Sequence, residues 1–305
     1  MFDVISIGAA TVDIFVKSNQ FLVQSDLLAL PYSSKNEISQ SLITSGGGAS
    51  NSAVSFSRLG LKSAIISLIG KDPLNEYLIS DLKNENIDHD LLVESNQETT
   101  DFSVILVAPD GGRSILTSRG NSRLEENHIP WDKITTRWLY LTSLEGNVDL
   151  LEKIIGFAQD SKIKIALNPG NRELAQKQQL QPLLKYVDFL LLNRTEAEII
   201  TGLENTMSNF WDKVSVLGSK IISVTNGRDG AYVFSGTDRF YSPVINTTPV
   251  DETGAGDSFG STFVAAQIHG LSLEDSLFWG IKNSASVVSY LGAKTGLLSL
   301  DQIKS

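Results

Sequence analysis

Short, nearly unbroken apolar runs alternate with amphipathic stretches along most of this chain, and that alternation narrows the fold more than any other feature. The runs lie at Val4–Gly8, Ser63–Ile69, Trp138–Thr142, Ile163–Leu167, Val187–Leu192 and Lys220–Thr225. Helical periodicity marks Asp72–Asn86, Val148–Ser161 and Arg172–Lys185. A strand apolar at every position must be covered on both faces, and intervening helices supply the cover. The pattern therefore predicts an α/β fold, a doubly wound, mostly parallel sheet flanked by helices. At 305 residues and 41 % hydrophobic content, the chain is long enough for one large core and too apolar for disorder.

Two stretches break the alternation. Thr11–Thr44 holds Asp13-Ile14-Phe15-Val16 and a polar, Ser-rich interval without helical period. Asp101–Arg119 reads as a hairpin, Phe102–Ala108, the turn Pro109-Asp110-Gly111-Gly112, then Ser114–Thr117. The two are expected to pair as a small sheet projecting from the main domain; ordinary surface meander fits their composition equally well. There is no internal repeat or linker, so residues 1–305 read as a single domain.

Charge and cysteine content exclude whole function classes. The formal charge is −10, which leaves little of the cationic surface that binding a phosphate backbone requires, so nucleic acid is not an expected partner. Cysteine is absent, so thiolate, Fe–S and Cys–zinc chemistry are excluded, in keeping with a reducing compartment. The N-terminus lacks a signal segment, and no apolar run approaches the ~20 residues that cross a bilayer. The expectation is a cytoplasmic protein without membrane contact. His89, His128 and His269 show no metal-ligand spacing and read as surface or core residues.

The richest stretch is Val250-Asp251-Glu252-Thr253-Gly254-Ala255-Gly256-Asp257-Ser258-Phe259-Gly260-Ser261, which leads into a helical run stopped at Gly270. Gly254 and Gly256 allow a tight turn and close ligand approach. The helix behind them aims free N–H groups and its positive dipole end at the same point, an anion site. Asp257 adds a carboxylate there. A base beside an anion-stabilising nest suits phosphoryl transfer to a hydroxyl. The plainer alternative makes Asp257 an N-cap. Gly256-Asp257-Ser258-Phe259-Gly260 also fits the G-x-S-x-G nucleophile elbow, but its triad needs a distant downstream histidine. The only histidine that follows is His269, close along the same helix.

Upstream, Gly46-Gly47-Gly48-Ala49-Ser50-Asn51-Ser52-Ala53 precedes an amphipathic helix ending at Leu59-Gly60. Taken alone it is a generic strand-to-helix turn whose bare backbone admits a substrate, with Asn51 able to donate to and accept from hydroxyls.

Together the two motifs resemble the ribokinase/PfkB family of carbohydrate and nucleoside kinases. The first follows G-G-x-A-x-N-x-A, with Gly60 and Gly70 in register; the second resembles D-T-x-G-A-G-D; and the order holds from Ile7 to about Gly296. Glu252, Thr262 and Asn75 depart from the family pattern. The resemblance implies a ribokinase-like fold with a small β lid formed by segments about 11–44 and 101–119. It implies an ATP-dependent kinase acting on a hydroxyl of a small sugar or nucleoside. In it Asp257 is the base and the amides of Gly254, Ala255 and Gly256 stabilise the transferring phosphoryl.

Further assignments carry over from the same resemblance. Asp13, Gly46, Gly47 and Asn51 would hold the substrate, joined by Arg119 unless that arginine is merely structural. Asn193 and Glu196 of Asn193-Arg194-Thr195-Glu196 would hold Mg²⁺ through water, the alternative being that Glu196 and Glu198 are solvated first-turn helix charges. Thr225, Gly227 and Gly230 would lie along the nucleotide, with Asn283 near adenine unless it is a buried amide. Asp251 would help build a monovalent-cation (K⁺) site, and the lid offers a homodimer contact. A catalytically idle relative should lack Asp257 or an anion-hole glycine, and this chain keeps both.

Overall fold

The computed structural model describes residues 1–25, 27–110, 112–120 and 123–305. In chain order the strands are β1 (Phe2–Ile7), β2 (Thr11–Lys17), β3 (Leu22–Gln24), β4 (Leu27–Ala29), β5 (Gln40–Gly46), β6 (Ser63–Ile66), β7 (Leu68–Gly70) and β8 (Val93–Ser95). They continue as β9 (Phe102–Val107), β10 (Arg113–Ser118), β11 (Thr136–Leu141), β12 (Lys164–Leu167), β13 (Phe189–Asn193), β14 (Ile221–Thr225), β15 (Ala231–Ser235) and β16 (Asp238–Ser242). The helices are α1 (Gly48–Arg58), α2 (Pro73–Asn84), α3 (Val148–Asp160), α4 (Asn171–Leu174), α5 (Lys177–Leu180), α6 (Arg194–Thr201), α7 (Phe210–Ser215), α8 (Ala255–Ile268), α9 (Leu273–Val287) and α10 (Leu300–Lys304).

An eight-stranded sheet in the order β16-β15-β14-β13-β12-β11-β1-β6 forms the body, parallel from β14 through β6 and antiparallel at the β14–β15–β16 edge. Successive side chains point to opposite faces, which explains the unbroken apolar runs. Ile5, Ile7, Leu139, Leu141, Leu190 and Leu192 pack with residues of α3 and α6. Val4, Trp138, Tyr140, Ala166, Phe189 and Leu191 pack with Phe56 of α1 and with Phe259 and Phe263 of α8. Phe189 and Phe263 stack at 4.5 Å between centroids. Truncating either to alanine costs about 3–5 kcal/mol by the usual cavity arithmetic.

The two stretches outside the alternation meet in a four-stranded sheet, β10-β9-β2-β5, in which β2 pairs β9 in parallel. Gly111 of the hairpin turn lies outside the described residues, while Gly112 N–H donates to Asp110 Oδ1 at 2.9 Å.

Three local expectations need correction. Ser63–Ile69 is two strands, since β6 pairs with β1 whereas β7 leaves the main sheet for β8. The Arg172–Lys185 helix is broken into α4, α5 and a 3₁₀ turn (Gln181–Tyr186); Pro182, which has no N–H to continue an α-helical ladder, accounts for the change after α5. The hairpin of β15 and β16 extends the sheet beyond the parallel runs. Among the described residues no helix is long and apolar enough to cross a membrane.

Candidate active site

Parallel strands deliver their carboxyl ends to one edge, and ligands of open α/β sheets bind outside that edge. Asn193 and Thr225 are the last residues of β13 and β14 and lie opposite one another in register. The helices α1 and α8 begin near the same edge and pack side by side.

Gly254 starts α8 in the left-handed region (φ 77°), and a Cβ there would approach that of Ala293 to 2.5 Å. No side chain caps this helix, so Asp257 is not its N-cap but lies within its first turn. Ala255 N–H makes a long bond to the Glu252 carbonyl (3.3 Å), whereas the N–H groups of Gly254, Gly256 and Asp257 find no acceptor among the described residues. The free donors thus differ from the expected trio: Asp257 N–H replaces Ala255 N–H. Gly256 is exposed, and a Cβ on it would touch nothing within 4 Å. Open space lies beside free donors.

The Asp257 carboxylate accepts a bond from Asn51 Nδ2 at 2.8 Å, which ties α8 to α1. Loss of hydration raises its pKa above the ordinary carboxylate value, and the Asn51 donor works against that rise. Asn51 is only 5 % exposed, and its buried Oδ1 has no partner among the described residues, an acceptor still free for a donor. Asp13, on β2, is also buried and its carboxyl is pushed up, first by desolvation and in the smallest part by the charge of Asp257. Thr11 Oγ1 donates to it at 3.2 Å. A Cβ on Gly46 would overlap the Asp13 carboxylate, and one on Gly47 (φ 85°) would come within 2.5 Å of the Ala9 carbonyl. Both glycines are required by packing. Burial, with a contribution from Asp257, also raises Glu196 and keeps the Tyr140 phenol well above its usual value.

Asn193 and Glu196 cap α6 reciprocally, with Glu196 N–H to Asn193 Oδ1 at 2.9 Å and Asn193 N–H to Glu196 Oε2 at 2.8 Å. Among the described residues Asn193 Nδ2 and Glu196 Oε1 have no hydrogen-bond partner, so the capping box leaves one carboxylate oxygen that could face a hydrated Mg²⁺. Among the described residues no cluster of three His, Cys, Asp or Glu forms a preformed metal cage. Water and phosphate oxygens would have to complete the coordination.

Several assigned residues lie elsewhere or are already occupied. Arg119 pairs with Glu145 Oε2 at 2.6 Å, an oxygen shared with Arg172 at 2.9 Å. It lines a cleft of about 610 Å³ with Arg123 and His128, and neither Asp13 nor Asp257 lines that cleft. Asn283 has no exposed surface: its Nδ2 donates to Thr262 Oγ1 (2.7 Å) and its Oδ1 accepts from Leu298 N–H (2.9 Å). Its partner is one of the departures from the family pattern, Thr262, so both ends of this buried amide are bonded within the core. Gly230 is buried against the Ser242 carbonyl, whereas Gly227 is exposed with open space around it. Asp251 Oδ1 accepts from Thr253 N–H and Oγ1, and its Oδ2 accepts from Gly292 N–H, with the Arg113 guanidinium 3.6 Å from Oδ1. That set does not fit a free monovalent cation, because a charged side chain already stands beside the carboxylate.

Ser258, the serine of the elbow-like motif, is buried, and His269 Nε2 bonds the Leu59 carbonyl. A Cβ on Gly260 would overlap the Tyr140 hydroxyl, so this glycine lets α8 lie directly on the sheet. Sequence patterns also missed Lys294, whose buried ammonium sits 2.7 Å from Asp81 Oδ2 and against Ser45 Oγ.

The chain belongs to the pfkB family of carbohydrate kinases, whose description matches residues 1–299. It is 30 % identical over 267 residues to a ribokinase of Haemophilus influenzae, covering 84 % of each chain. It is 27 % identical to a nucleoside kinase of Methanocaldococcus jannaschii, covering 85 % of this chain and 83 % of that one. Its fold is that of a putative Ribokinase II of E. coli solved with ATP and Mg²⁺ (TM-score 0.83, 19 % identity), covering 100 % of this chain and 98 % of that one. Relatives that are kinases of sugars and nucleosides make this chain a phosphotransferase of that family.

Proposed function

We propose that the protein is an ATP-dependent kinase that transfers the γ-phosphoryl group to a hydroxyl of a small sugar of the ribose or fructose kind. The observation that carries the reading is the pairing of Asp257 with unoccupied backbone donors in one helical turn, Gly254, Gly256 and Asp257. Bound ATP supplies the phosphoryl group and the ADP leaving group, and a hydrated Mg²⁺ neutralises phosphate charge. Asp257 takes the proton of the attacking hydroxyl as the new O–P bond forms and the bond to ADP breaks. Its raised pKa brings the base nearer to neutrality, where proton acceptance is more effective. The free amides meet the charge that develops on the transferred group.

Asn51 orients Asp257 through Nδ2 and offers its unpartnered Oδ1 to a substrate hydroxyl, while Asp13 accepts from a second hydroxyl beside the bare backbone of Gly46 and Gly47. Thr225 and Gly227, at the end of β14, lie along the nucleotide, and Asn193 with Glu196 hold the hydrated metal. The four-stranded sheet acts as a lid whose closure excludes water. A nucleoside is the second reading, favoured by the similarity to the M. jannaschii nucleoside kinase. The deciding experiment measures ADP release with Mg²⁺ across pentoses, hexoses and nucleosides. Turnover of a sugar at least ~100-fold above the buffer rate supports the first reading; turnover confined to nucleosides supports the second. ADP release from none of them overturns both.

A further inference from the structure

Asp251 is a buried carboxylate that braces two segments. Its backbone N–H and that of Val250 both donate to the Val288 carbonyl, at 3.2 and 2.7 Å, just past α9. Its Oδ1 accepts from Thr253 N–H (3.0 Å) and Oγ1 (2.7 Å), and its Oδ2 accepts from Gly292 N–H (2.9 Å). Gly254 then rests on Ala293. The side chain of Asp251 thereby sets the turn that carries the free amides. With 2 % side-chain exposure it has almost no water, and hydrogen bonds alone do not balance a buried negative charge.

The countercharge comes from the other sheet. Arg113 opens β10, an edge strand whose residues are all exposed, and its Nη1 reaches to 3.6 Å from Asp251 Oδ1. We propose that Arg113 is a built-in cation for Asp251, a positioning residue that makes the Gly254–Gly256 turn independent of free monovalent cations and dependent on the placement of the small sheet. The activity part of this inference rests on the kinase reading; the ion-binding part does not.

The test uses the full chain and its Arg113→Met and Arg113→Lys variants in KCl or choline chloride at equal ionic strength. Two readouts are taken: thermal unfolding of the free protein and ADP release with the best acceptor found. The wild type and Arg113→Lys should show the same midpoint and turnover in both salts. In choline, Arg113→Met should lose about tenfold or more in turnover through a displaced turn. KCl should restore most of that loss and raise its midpoint by about 2 °C or more, as ligand linkage requires. Three results would overturn the proposal: a K⁺ requirement in the wild type, an Arg113→Met protein equal to wild type in choline, or a loss that KCl leaves unrelieved. If Arg113→Met does not fold, a K⁺ requirement acquired by Arg113→Lys overturns it and salt indifference supports it. If no acceptor is turned over, the kinase reading fails while the thermal readout still decides the cation question.

Discussion

Two glycine-rich turns lead into neighbouring helices, and they use glycine for opposite ends. At Gly46-Gly47-Gly48 a Cβ on any of the three would collide, with the Asp13 carboxylate, the Ala9 backbone or the Thr142 side chain. Of the donors there, Ala49 N–H bonds the Ala9 carbonyl and Asn51 N–H that of Gly47, while those of Gly47, Gly48 and Ser50 find no acceptor among the described residues, so the turns differ in the space around them rather than in their donors. At Gly254-Ala255-Gly256 only Gly254 is crowded and Gly256 faces open space, beside N–H groups of Gly254, Gly256 and Asp257 that find no acceptor among the described residues. The first turn is small so that protein can pack against it. The second is small where something else can arrive. Glycine content is identical in kind at both places, so only the surroundings show where a side chain would collide and where it would meet open space.

Asp257→Asn tests that contrast most severely. Turnover should fall about a thousandfold, while ADP binding, followed by calorimetry, survives. Its stability should move the other way. The fold raises the pKa of this carboxyl, so ionising it at neutral pH costs stability that is fully present below the unfolded value and lost as pH rises through the folded value. Asp257→Asn should therefore melt above the wild type at pH 7, and the gap should close as pH falls. An unchanged turnover would remove the base from the mechanism.

Alanine at the two turns should separate stability from activity. Gly47→Ala places a side chain at φ 85° against the Ala9 carbonyl and should cost about 1–3 kcal/mol, seen as a lowered melting temperature. Gly256→Ala meets no protein atom; it should leave stability equal or higher by about 0.5–1 kcal/mol and yet lower turnover about tenfold. If Gly256→Ala keeps full activity, the open space beside it is not where the phosphoryl group passes.

A subtler change is expected from Asn51→Leu. Activity requires ionised Asp257, so it falls as pH drops through the raised pKa. Removing the Asn51 donor removes the influence that lowers that pKa, and the acid limb of the kcat profile should move to higher pH. A smaller effect still on activity is expected for Asn283→Ala, which should cost about 1–3 kcal/mol in stability through the orphaned Thr262 and Leu298 groups. Its KM for ATP should stay within about twofold of the wild type; a larger rise would return Asn283 to the nucleotide.

Much of the fold was legible because burial on both faces leaves a run such as Phe189-Leu190-Leu191-Leu192 no polar alternation to hide. The Arg172–Lys185 stretch misled because its periodicity is real while Pro182 interrupts the ladder. The β15–β16 hairpin was missed even though Gly230 precedes it and Gly236 sits in its turn; Arg239 of β16 lies over Tyr232 and Phe234 of β15 and over Trp211, which α7 brings from elsewhere in the chain. At the site, residue type and spacing marked Asp257, Asn51 and Asp13. They did not reveal partners. Arg119 and Asn283 were named for the groups they carry, and their neighbours Glu145 and Thr262 had already claimed those groups. Arg113 carries no local signal, because its meeting with Asp251 exists only after both sheets have folded.

The outer strand β10 has no buried position along its six residues. Replacements there disturb little packing and should accumulate at small thermodynamic cost, the usual behaviour of surface sites. The strand's first residue is the exception, because Arg113 stands against a carboxylate buried in the opposite sheet's loop, and a replacement there would leave that charge without its cation.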